Sequence, residues 1–571
     1  MMTDKTASGD EPMRETLGQR LYSRRDMMRF ATFGGAGIGA ATLLRRRTGL
    51  SGPAGSPQLR ESAGSTRGPA PWQKPPVSFI YLDTTEPDSL DPSQQNEFDG
   101  FLISNNTYDA LTLTDETTQT LVPWLATSWK ANPDITEWTF TLRPGVAFID
   151  GSPMDAPAVA LSMQRHLAIG SIAEAGYMLG GIRSVKATGP MEVTFATKAP
   201  QPWLPYHMVM FPIISKVAID AHKTSKDPWA EAYFEDHCVG TGPYELSSWV
   251  KGTKITLKKN DNWWGGPWQP GSIDSVTVQW ETDPATSVEL IEKGVANFST
   301  EWTVGNALSL AGHPGFTLTR YKADTIDPML TFNQAKPPFD KVEVRRAFQY
   351  AFDYDAMREY FHGYADATSG VLPPWNTYAL KSLPIYKQDL GKAKALLSSA
   401  GVDPATLTPT CYTAAGYPDL VAGGTILQAS LAQIGVHVQL ESLQFGSILS
   451  AMEHVSTSPP LASSWYNANF SLDPTSYFSE LLPTGPAFTS TRWDSPAFAA
   501  AYSAASSSTS EAGIKAGLDK CQQILYDDAP VIFGALPELI IPVPNYLEGY
   551  VMQATDAEYP TRFWQLRLRE H

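Results

Sequence analysis

The sequence predicts a mixed α/β protein of at least two domains behind an export segment. Three observations carry that expectation. Strand-like and helix-like segments alternate from residue 77 to the C-terminus. The chain has 571 residues, 42% of them hydrophobic, and a single core stops growing at roughly 250–300 residues. The first 76 residues differ from the rest in both charge and composition.

Eleven Arg and Lys face six acids in the first 68 residues, while the whole chain carries −16, so the remaining body is more acidic still. Ser23-Arg24-Arg25-Asp26-Met27-Met28-Arg29 precedes an uncharged Gly/Ala-rich run from Phe30 to Leu44. That pattern reads as a twin-arginine export signal over 1–47. The apolar run is shorter than the roughly 20 residues a spanning helix needs. Arg45-Arg46-Arg47 follows it directly and no Ala-x-Ala cleavage site is evident. The signal places the body outside the cytoplasm, in the periplasm or on the outer face of the cytoplasmic membrane. Residues 48–76 are dense in Gly, Pro and Ser, a composition that buries too little apolar surface to offset ordering entropy, and they read as a disordered linker.

The body opens with the strand-like Val77-Ser-Phe-Ile-Tyr-Leu82. Period-two alternation predicts further strands at Trp138–Leu142, Lys254–Lys258 and Ser275–Gln279. Helices are predicted at Ala156–Leu167, at Ala285–Lys293 closed by Gly294, and at Val344–Phe361 closed by Gly363. Two more are predicted at Gly391–Ala400, closed by Gly401, and at Glu511–Tyr526. Arg143-Pro-Gly-Val with Asp150-Gly151 reads as two turns around a short strand, and Gly240-Thr-Gly-Pro marks a change of chain direction. Both are read as scaffold.

An acidic body repels phosphate backbones and anionic lipid, because affinity for either comes mainly from Lys and Arg. Nucleic-acid and membrane-surface binding are therefore disfavoured. No G-x-S-x-G, G-x-x-x-x-G-K-[ST] or H-E-x-x-H pattern occurs, and the nine histidines lack ligand spacing. Neither a catalytic centre, nor a metal site, nor a cofactor is expected. Cys238, Cys411 and Cys521 are too few for a disulfide scaffold; two could pair, or all three could be buried thiols. Sixteen Trp exceed what two ordinary cores need, which points to rings facing a ligand.

Four ordered blocks make the reading specific. They are Glu86-Pro-Asp-Ser-Leu-Asp-Pro92 with Tyr108-Asp-Ala-Leu111; Leu121–Trp129 with Trp138–Gly151; Val239-Gly-Thr-Gly-Pro-Tyr244 with Asn260–Gly266; and Phe332–Asp340 with Val344–Asp353. Asp527-Asp-Ala-Pro530 follows near the end. In these blocks the chain resembles the bacterial extracellular solute-binding proteins of family 5, receptors of ABC importers for peptides, nickel and oligosaccharides. The resemblance implies a type II periplasmic-binding-protein-like fold, with two main lobes joined by a hinge and an extra domain in the N-terminal half. Lobe I would comprise 77–112, 236–330 and 530–571, the inserted domain 113–235 and lobe II 331–529. It further implies a monomer that closes around its solute and delivers it to a membrane permease.

The ligand-facing candidates are Glu86 and Asp88 of the N-terminal loop, Trp375 after Pro373-Pro374, and Trp465, Tyr466, Asn467, Asn469 and Phe470 before Asp473-Pro474. The aromatics and amides combine flat apolar faces with hydrogen-bonding groups, as pockets require. The resemblance also exposes a departure. Peptide-binding relatives typically carry an aspartate three residues before the Asp-Pro aspartate, where it pairs with the ligand's ammonium. Here that position is Phe470. An unpaired buried ammonium is costly, so a peptide ligand requires another acid, while an oligosaccharide or metal chelate is the alternative. A further alternative, from another class, is an exported peptide or glycan hydrolase with paired carboxylates.

Overall fold

A computed structural model describes residues 76–94, 98–115, 117, 120–170, 176–322, 324–452, 454–466, 472–483, 488–552 and 561–569. The expected export signal and nearly all of the linker lie outside these residues. Among the described residues no helix is long and apolar enough to cross a membrane.

Three sheets organise the body. The first has the order Ser78–Asp83, Ser275–Trp280, Lys254–Lys259, Tyr244–Val250. Its first pair is parallel and the other two are antiparallel. Phe79, Tyr81, Tyr244, Val276 and Phe298 fill its core, joined from the C-terminus by Phe563. The second is an antiparallel sheet of Ala126–Ala131, Glu137–Leu142, Glu192–Thr197 and Ile182–Gly189. Phe140 and Phe195 pack it against Val159 and Met163 of the helix Ala156–Ile169. The third is five-stranded, in the order Gln439–Leu443, Thr410–Ala414, Leu461–Tyr466, Ile326–Phe332, Val531–Phe533. Its core holds Phe332, Phe339, Phe348 and Leu427.

The chain crosses between the first and third sheets twice, side by side. Phe316–Lys322 pairs antiparallel with Leu536–Pro544, ending at Lys322↔Glu538. Directly beyond, Ile326–Phe332 pairs with Val531–Phe533 in the third sheet. Two adjacent strands are thus the covalent link between lobes, and the hinge lies at 322–326 and 533–536.

Local signals placed most elements. Asp155 caps its helix by accepting from Ala158 N, and Gly170 ends it at φ 65°. Gly294, Gly363 and Gly401 take φ of 67°, 81° and 67° at the helix ends expected of them. The single helix predicted at Val344–Phe361 is instead two, Val342–Ala351 and Tyr354–Tyr360. Asp353 breaks it: its carboxylate accepts from Ala356 N at 3.0 Å, starting a new helix. The bend lets Phe352 and Met357, both fully buried, enter the same core. Gly240 and Gly242 sit where a Cβ would approach Thr107 O at 2.3 Å and Thr107 C at 2.4 Å, so this motif is the close packing of a strand entry on a helix end. The three cysteines are free and buried, each in a different core cluster. Burial pushes each thiol up to about 12.

Candidate functional site: carboxylates and aromatics at the hinge

The strand Ser78–Asp83 ends at Asp83, which is 4% exposed. Beside it the chain passes Phe298, which bridges Tyr81, and reaches Thr300 and Glu301. The Tyr81 hydroxyl and Thr300 Oγ1 lie 2.5 Å apart. Glu301 differs from a core acid in being reached by solvent although protein crowds it. That crowding, and then the Asp83 charge, lift its carboxyl to about 7. An accessible carboxylate held under such desolvation gains from any cation that replaces the missing water.

This pair connects to the hinge through rings. Tyr550 lies against Phe298, with centroids 4.8 Å apart, and meets Tyr321 edge-on at 6.3 Å. Tyr321 is one residue before Lys322, the last residue of the crossing strand. Lys322 Nζ stands 4.9 Å over the Trp375 ring, whose Nε1 donates to Asp324 at 2.8 Å. The Tyr477 hydroxyl donates to the other Asp324 oxygen, and burial still raises the Asp324 pKa. Further along, Asp327 is 5% exposed and its pKa is lifted well above the carboxylate range, first by burial and then by Asp419. Tyr321, Lys322, Asp324 and Asp327 therefore bring one tyrosine, one lysine and two carboxyls to the hinge and the strand ends that flank it.

The expected site residues distribute unevenly over this geometry. Trp375 is at the hinge. Glu86 is not available to a ligand: Gly252 N donates to both its oxygens at 2.9 and 2.8 Å, and Trp249 Nε1 donates at 2.7 Å. It fastens the N-terminal loop to the strand turn at 251–253. Asp88 is exposed. Asp91 of the same motif meets Arg165, and neither side chain is exposed. Tyr466 does not face a ligand either: it is 1% exposed and its hydroxyl donates to the Tyr477 carbonyl, which makes it a core residue. Trp465, partly exposed, stacks on Phe445 at 5.2 Å and lies 5.1 Å from Tyr417. Asn467, Asn469 and Phe470 lie outside the described residues. Asp473 itself is buried against His207 Nε2 at 2.9 Å, tying the third sheet's lobe to the helix Leu204–His207 that packs beside the second sheet. Asp83, Glu301, Asp324, Asp327 and Asp419 were not anticipated. No short motif joins them.

The family described as bacterial extracellular solute-binding proteins, family 5 (middle) matches residues 120–488. The glutathione-binding protein GsiB of Salmonella typhimurium is 27% identical over 372 residues, covering 64% of this chain and 69% of that protein. Among solved structures, the periplasmic binding protein DppA of Helicobacter pylori in complex with the peptide STSA superposes with a TM-score of 0.74 at 24% identity, over 86% of this chain and 98% of that one. NikZ of Campylobacter jejuni in complex with Ni(L-His) gives 0.74 at 20% identity, over 86% and 100%.

Proposed function

The chain belongs to the bacterial extracellular solute-binding proteins of family 5, and we propose that it is the exported receptor of an ABC importer, closing on a peptide or peptide-like solute with a cationic amine and handing it to a membrane permease. The family is one of binding proteins, and no catalytic step is needed. The observation that carries the ligand class is Glu301 beside Asp83: two carboxyls at a strand end near the hinge, one reached by solvent and titrating near 7. They supply the anionic partner that Phe470 does not. The glutathione-binding relatives and the peptide-bound neighbour fit the same class. The partly exposed stack of Trp465, Phe445 and Tyr417 favours a flat or apolar group elsewhere on that solute.

Native mass spectrometry of the purified receptor, followed by calorimetry with the solute it releases, tests the reading. Free-amino peptides should bind and their N-acetylated forms should lose at least tenfold in affinity. Because Glu301 is protonated below about 7, affinity for the cation should fall as pH drops from 7.5 to 5.5, by about tenfold or more if binding needs the ionised form. Glu301→Gln should remove that pH dependence. A receptor that releases a neutral oligosaccharide, or binds acetylated and free peptides equally, would sink the proposal.

A further inference from the structure

Away from the hinge, a cavity of about 620 Å³ opens at the junction of the second sheet with the first lobe. It shares no residue with the hinge cluster, and its walls include Trp124, Thr127, Arg143, Gly145 and Trp264. Its volume falls in the range of small-molecule sites. What distinguishes it is how its walls are held. Asp109, 7% exposed, sits behind the two indoles and accepts from Trp124 Nε1 at 2.7 Å and Trp264 Nε1 at 2.9 Å, with Thr241 Oγ1 donating at 2.8 Å. With both N–H groups turned to Asp109, the rings offer carbon surface to the cavity. Trp124 stacks on Trp564 at 5.7 Å and meets Trp264 edge-on at 4.8 Å, so the wall is braced on both sides.

Arg143 completes it. Its Nε donates to Trp124 O at 2.9 Å, and its guanidinium lies 4.7 Å from the Trp264 ring centroid. These contacts fix the plane of the guanidinium yet leave both terminal NH₂ groups without a carboxylate among the described residues. In a chain of net charge −16, an arginine stacked on tryptophan and unpaired with an acid is set out for an external anion. Its fork matches a carboxylate in two parallel hydrogen bonds, and the indoles match a flat or ring-shaped apolar face. Gly145, at φ 79°, has nothing within 4 Å of where a Cβ would stand, leaving the rim open.

We propose that this cavity is a second binding site, for a ring-bearing carboxylate, either a sugar acid of the uronate type or an aromatic acid. Nothing in the inference depends on the ligand of the hinge cleft. Calorimetric and saturation-transfer titrations of the folded protein with glucuronate, benzoate and glucose separate the sources. Either acid should bind saturably at millimolar or lower concentration, and glucose at least tenfold more weakly. Binding of glucuronate alone assigns a sugar acid, and of benzoate alone an aromatic acid. Arg143→Gln should cost tenfold or more. Thr127→Trp, which fills the cavity from an exposed rim position, should abolish binding while thermal stability stays unchanged, so a folding defect in the arginine variant cannot mask the result. Failure of both acids to bind, equal binding of glucose, or binding that survives Thr127→Trp overturns the site.

Discussion

Asp109 is a carboxyl on which two forces oppose one another. Burial favours its neutral form, while Trp264, Trp124 and Thr241 donate hydrogen bonds that favour the anion; burial dominates and lifts it to about 6 from 3.8. The folded state therefore holds its proton at pH values where the unfolded chain has released it. Stability from this group is fully present below 3.8 and declines as pH rises to about 6, by at most on the order of 3 kcal/mol. Asp109→Asn, which retains one oxygen acceptor and cannot ionise, should flatten that segment of a melting-temperature profile between pH 4 and 6.5. An unchanged slope would show that the carboxyl does not titrate there. Trp124 and Trp264 should become mobile in the Asp109→Ala variant, read as broadened indole N–H resonances.

At the scale of elements, the segment from Glu86 to Pro92 is fastened at two points: Glu86 to the turn at Gly252, and Asp91 to Arg165 on the helix Ala156–Ile169. The second pair is bidentate and wholly buried, and Arg165 Nε also donates to Trp229 O at 2.8 Å. Arg165→Ala leaves Asp91 buried without its ionic partner and should cost about 3–5 kcal/mol in denaturant unfolding, whereas the joint replacement of both by apolar residues should recover much of the loss. Similarly, Asp353→Ala removes a cap and should cost about 0.5–2 kcal/mol. The same elements show what was readable beforehand. Strands and helices announce themselves through periodicity and through caps that lie at the element's own ends, as with Asp155 before and Gly170 after the helix Ala156–Ile169. The Asp353 break was hidden because the apolar period runs through it. Glu86 carried a motif whose acid could equally bind a ligand or a backbone turn, and only the turn's position decides. Asp83 and Glu301 come together through strand pairing and a long connection, and no spacing in the sequence records such a meeting.

For the whole molecule, the lobes are joined by two neighbouring strands and by buried contacts such as His207 with Asp473. Gly242 is a point where lobe geometry depends on one missing methyl group, since a Cβ would overlap the Thr107 backbone. Gly242→Ala should lower the melting temperature by several degrees and weaken solute binding together, because the helix end it presses on belongs to the first lobe's core.

The three thiols have a consequence for where this chain can mature. Each is sealed in a separate core and held as the neutral thiol, which is the inert form. No covalent cross-link has to be made, proofread or reshuffled for the body to finish folding. Alkylating reagent should leave the native protein untouched and modify all three sites only after denaturation, and a reductant should not shift the melting temperature. Redox potential thus drops out of the order of events. The body can be complete in a reducing or an oxidising space alike, and passage from one to the other would change nothing in its architecture.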